Sequence, residues 1–120
     1  MALIQQLTMP EEDFVKGFHE LKTNLLKSYF NPSQDEFGES PIAKMVNSLG
    51  VDISETSTLY QILDGALTDT LYTVLLGLDG EASIGNNNQQ MYKLFDEAGN
   101  ELTKRGEIEG YAWEYFHNRK

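Results

Sequence analysis

Leucine recurs through the middle of this chain at helical spacing: Leu59, Leu63, Leu67, Leu71, Leu75 and Leu78 follow one another at steps of four, four, four, four and three. Ile62, Ala66, Thr70 and Val74 fill the neighbouring row. An apolar face of period 3.6 sustained over about five turns predicts one long helix, here residues 55–79. The width of that face predicts a mostly buried, central helix. Ser54 offers a hydroxyl for an unpaired backbone N–H at the start, Glu55 suits the positive pole, and Gly80 supplies a left-handed stop. Gly65 and Gly77 oppose this reading, because a mid-helix glycine costs about 1 kcal/mol against alanine. A kink at Gly65, or a buried strand over residues 71–78, is the alternative.

Length limits how much can surround such a helix. With 120 residues the chain makes a single domain, residues 1–120, around one core. Thirteen aromatics (six Phe, six Tyr, one Trp) argue for a folded chain rather than disorder. Cysteine is absent, which excludes disulfides, thiolate chemistry and cysteine-ligated metal. The first residues lack a basic segment followed by a long apolar run, so no secretory leader is expected. The longest apolar uncharged stretch, residues 70–78, is too short to cross a bilayer. The cytoplasm is the expected compartment.

Charge is unevenly spread. The net charge is −10, and residues 28–92 hold nine acids against one base, Lys44, a net −8. Such a field repels nucleic acid and anionic membrane and attracts basic surfaces. It also favours solubility, whatever the function.

Either side of the central helix the pattern is readable. Pro10 with Glu11, Glu12 and Asp13 opens a first helix to about Tyr29, its stripe formed by Phe14, Phe18, Leu21, Leu25 and Tyr29. Residues 31–40 read as loop. Ser40-Pro41 starts a second helix with Ile42, Met45, Val46 and Leu49 as its apolar side, and Gly50 ends it. Residues 91–95 alternate apolar and polar, 96–100 are turn-formers and 101–104 return. This predicts a two-stranded antiparallel hairpin over 91–104. A hairpin alone is unstable in water, so it should lie on the helices. Ile108, Tyr111, Ala112, Tyr115 and Phe116 favour a last helix, although Tyr111, Trp113 and Tyr115 also alternate as a strand would. The expected class is α+β, mostly α, with about four helices.

No catalytic motif survives inspection. His19-Glu20 begins like a zinc-protease helix, but Thr23 stands where the second histidine belongs. Glu20-Leu21-Lys22 resembles a nuclease fragment but sits on an amphipathic helix. Asp79, Glu81, Ser83 and the asparagines 86–88 offer oxygen ligands without the EF-hand order. The expectation is a protein that is not an enzyme, with no cofactor and no metal. Asp64 and Asp69 differ by about 140° around a helix, so they form no pair, only a polar rim or part of an acidic surface.

In size, charge and lack of motifs the chain resembles the small acidic immunity proteins that bacteria make against their own basic toxins, often nucleases. That resemblance implies stoichiometric inhibition, with carboxylates meeting a toxin's Lys and Arg. The candidate partner-binding residues are Asp35, Glu36, Glu39, Asp64, Asp69 and Asp79, with Trp113 and Tyr115 as aromatic anchors. Two other classes stay open. One is a ligand- or metal-binding protein or carboxylate enzyme, with a concave site lined by Asp64, Asp69, Asp79 or His19. The other is a structural subunit that dimerises through its aromatic face.

Overall fold

The computed structural model describes residues 9–31 and 40–118. Among these residues four α-helices follow in order: α1 (Pro10–Phe30), α2 (Pro41–Ser48), α3 (Thr58–Leu78) and α4 (Ile108–Trp113), the last running into a π turn over Glu114–Asn118. Two compact units divide the chain, Met1–His19 with Leu71–Lys120, and Glu20–Thr70.

In the first unit the core is Val15, Leu75, Leu102, Ile108, Ala112, Tyr115 and Phe116. Phe14, Phe18, Leu71, Tyr72, Leu94 and Tyr111 pack around it. Within Glu20–Thr70 a second core gathers Leu26, Phe30 and Val46, flanked by Tyr29, Ile53, Leu59, Tyr60, Leu63 and Leu67. The leucine ladder of α3 therefore supplies two cores: Leu59, Leu63 and Leu67 one, Leu71 and Leu75 the other.

The α+β class is corrected. Among the described residues there is no strand, and residues 91–104 do not form the expected hairpin; a single antiparallel bridge joins Phe95 and Glu101. The turn itself forms, with Gly99 at φ 91° and Asp96 accepting from the Asn100 backbone at 2.9 Å. One residue past the bridge, Leu102 N–H donates to the Leu94 carbonyl at 2.6 Å. The ladder then stops, because the Leu94 N–H goes to the Thr103 hydroxyl at 3.2 Å instead of to a partner strand. A side chain that offers the backbone a local acceptor competes with sheet pairing. Leu102 and Thr103 are buried, and the chain turns at once towards α4.

The central helix is also shorter and less enclosed than its pattern predicts. It begins at Thr58, because Ser54 is engaged in a turn: its N–H donates to Asp52 and its carbonyl accepts from Ser57. Ser57 caps instead, its hydroxyl accepting the Tyr60 N–H at 3.1 Å. Only Leu75 and Gly77 of α3 are fully buried, and Ile62 is exposed. At its far end the Glu81 N–H reaches Leu76 O and the Gly80 N–H reaches Gly77 O, a Schellman closure in which Gly80 takes φ 82°. Neither glycine within α3 breaks it. On α1, Leu21 is exposed, and Lys22 takes the place beside α3.

Candidate binding surface

The sequence-derived candidates scatter. Asp35, Glu36 and Glu39 lie outside the described residues. Asp64 is held by Lys22, whose ammonium stands 2.9 Å from Oδ1 and also donates to the Thr68 hydroxyl at 3.1 Å. Asp69 is exposed on α3. Asp79 is buried, 2% exposed, at the junction of α3 and α4, where Oδ2 accepts the Glu109 N–H at 3.0 Å. Burial pushes its carboxyl up, and Glu81, Glu109 and Glu107 add to the rise, while the Glu109 N–H opposes it. Among the described residues Oδ1 has no hydrogen-bond partner. This carboxylate works inside the fold and presents no charge to a partner.

The two aromatic candidates part company in the same way. Tyr115 is buried, and its hydroxyl donates to Glu12 Oε2 at 2.9 Å. Trp113 is 54% exposed and stacks on His117, with centroids 5.1 Å apart at 29°. Tyr72 also meets that imidazole edge-on, at 4.5 Å. His19 packs edge-to-face on Phe116 at 5.4 Å. Both histidines thus belong to one aromatic group of the first unit. Among the described residues no cluster of His and carboxylates could hold a metal ion.

A surface the sequence-derived list omits lies on α2. Ser40 caps this helix through Ala43 N–H at 3.1 Å. At about 100° per residue, Ile42, Met45, Val46, Leu49 and Ala43 form one continuous apolar arc of about 160°. Ala43 and Val46, some 60° of it, are buried. Ile42, Met45 and Leu49 are exposed, Met45 by 63%, and Val51 continues the patch just past Gly50. Exposed acids follow it in the chain at Asp52 and Glu55. The Ser54 backbone N–H, then the Ser54 side chain, hold Asp52 below the usual carboxylate range, so it stays ionised. The sequence signal was the width of the arc, too broad for an eight-residue helix to cover on one side.

Comparison with protein families, curated proteins and solved structures finds no match to this chain. Among the described residues, no helix is long and apolar enough to cross a membrane.

Proposed function

We propose that this is a small acidic protein-binding module of the cytoplasm that docks a basic partner on α2, with toxin neutralisation of the immunity type as one form of that activity. The observation that carries the reading is the exposed half of the α2 arc, followed within a few residues of the chain by exposed Asp52 and Glu55. About half of each of Ile42, Met45, Leu49 and Val51 is still open to water. Covering them is worth roughly 1 kcal/mol apiece. Association costs about 4 kcal/mol or more, so apolar contact alone does not hold a partner. Added attraction has to come from charge, and the exposed charges next in the chain after Val51 are negative. A second copy of the chain fits poorly: in a two-fold pairing Asp52 and Glu55 would approach their own counterparts. A partner with apolar anchors among Lys and Arg satisfies both requirements.

A synthetic helical peptide with leucines at i, i+3 and i+7 and lysines between them tests this, alongside the same peptide with glutamates for lysines. The lysine peptide is expected to bind at least about tenfold more tightly, and less so as salt rises. Leu49→Ser with Met45→Ser, and separately Asp52→Asn with Glu55→Gln, should each weaken it. Equal binding of both peptides, or affinity untouched by either pair of changes, refutes the reading.

A further inference from the structure

We propose that Met45 is an oxidation site through which peroxide releases a partner docked on α2. The inference rests on the docking reading above and adds a control to that same surface. The chain has four methionines and no cysteine, so no thiol of its own competes with the thioethers for an oxidant. Three of the four lie among the described residues. Met45 is 63% exposed and Met91 68%, while Met9 is half-buried.

Position separates the two exposed methionines. Met45 lies on α2, three residues after Ile42 and four before Leu49, so the three side chains share one face. At about 100° per residue Met45 is the outermost member of the apolar arc, about 40° from Leu49. Met91 belongs to the other unit, where its side chain lies against Gly80.

The chemistry needs only peroxide. One oxygen atom passes to Sδ of Met45: an S–O bond forms, the O–O bond breaks, sulfur gives up two electrons and the peroxide leaves as water. A flexible apolar side chain becomes a polar one. In the free protein the new oxygen stays in water. The Ser40 cap and the buried Ala43 and Val46 that hold α2 are untouched. In the complex the same oxygen has to give up its water against apolar anchors that offer it no donor. Affinity falls while the fold stays. A dithiol reverses the step on the two epimer-specific sulfoxide reductases: sulfur is reduced, the oxygen leaves as water and the dithiol becomes a disulfide.

The lysine peptide, which contains no sulfur, is titrated into the protein before and after hydrogen peroxide, with each sulfoxide located by mass spectrometry. Met45 is expected to oxidise faster than Met9. The oxidised protein should bind about tenfold more weakly with unchanged circular dichroism, and recover after both reductases with dithiothreitol. Met91→Leu should show the same drop. Met45→Leu, whatever its own affinity, should show none. An oxidised protein that binds as tightly as the reduced one, a Met45→Leu variant that loses as much as the parent, or a Met45 slower to oxidise than Met9 overturns the proposal and leaves the docking reading standing. A reduced protein that does not bind the peptide refutes the docking reading, and the proposal falls with it.

Discussion

Asp79 ends α3 through its backbone N–H, which reaches the Leu75 carbonyl, and opens α4 through its side chain: Oδ2 accepts the Glu109 backbone N–H at 3.0 Å, thirty residues along the chain. Glu107, the residue that precedes α4, makes no capping bond with its own side chain. The cap is supplied from a distance, by a carboxylate shielded from water and surrounded by Glu81, Glu107 and Glu109.

That arrangement sets a pH dependence. The folded state raises the Asp79 pKa above its ordinary value, so between the two values the native protein holds a proton that the unfolded chain has released. The contribution of Asp79 to stability is complete below the unfolded pKa and is lost as pH rises through the folded one. Asp79→Asn keeps an oxygen for Glu109 and removes the charge. It should raise the melting temperature at neutral pH and leave it nearly unchanged in acid. Asp79→Ala, which removes the cap, should fall about 1 kcal/mol below Asp79→Asn at neutral pH. Thermal melts across the pH range check both.

The two glycines inside α3 should respond in opposite directions to alanine. A Cβ at Gly65 meets nothing within 4 Å. Gly65→Ala should therefore stabilise by about 0.5–1 kcal/mol through helix propensity. A Cβ at Gly77 collides with Ile84 Cγ1, near the root of that side chain, and lies 3.0 Å from its Cδ1. Gly77→Ala should destabilise by about 1–3 kcal/mol, as overpacking does. Urea unfolding of the two variants gives the comparison directly.

Lys22 and Asp64 should prove coupled, though weakly. Their ion pair at 2.9 Å joins α1 to α3 within Glu20–Thr70, with Asp64 still 41% exposed. Screening at such a site limits the pair to at most about 1 kcal/mol. A double-mutant cycle on Lys22→Met and Asp64→Asn should return a coupling of that size that shrinks in high salt. Asp64→Asn should leave binding of a basic peptide unchanged, because its charge is already met.

Leu75 and Leu49 separate core from surface. Leu75 is fully buried, and Leu75→Ala should cost about 3–5 kcal/mol. Leu49 is exposed, and Leu49→Ser should stay within about 0.5 kcal/mol of the parent. Equilibrium unfolding in urea distinguishes the two, and it also certifies the α2 variants for binding work.

Sequence reading reached what local chemistry controls. Pro10, Ser40, Gly50 and Gly80 mark helix ends that the structure places where their backbone preferences require, with Gly50 at φ 66° and Gly80 at φ 82°. Leucine periodicity found α3 through two unfavourable glycines. What stayed hidden depends on partners far away in the chain. Nothing in residues 91–104 announces that Thr103 will claim the Leu94 N–H and so prevent a second rung. Nothing near Asp79 announces Glu109. A repeat of leucines cannot say that it feeds two cores in turn, nor can an apolar arc on α2 say which half of it is covered.

The π turn at Glu114–Asn118 carries a consequence for the stacking of Trp113 on His117. Its wider winding seats both Tyr115 and Phe116 in the interior while His117 lies under the indole of Trp113. Deleting one residue there would tighten the coil and swing each later side chain by about 100°. The imidazole would leave the indole, and the fluorescence of the molecule's lone tryptophan would report the change. That segment is a register lock: its length, more than its composition, decides whether His117 meets Trp113.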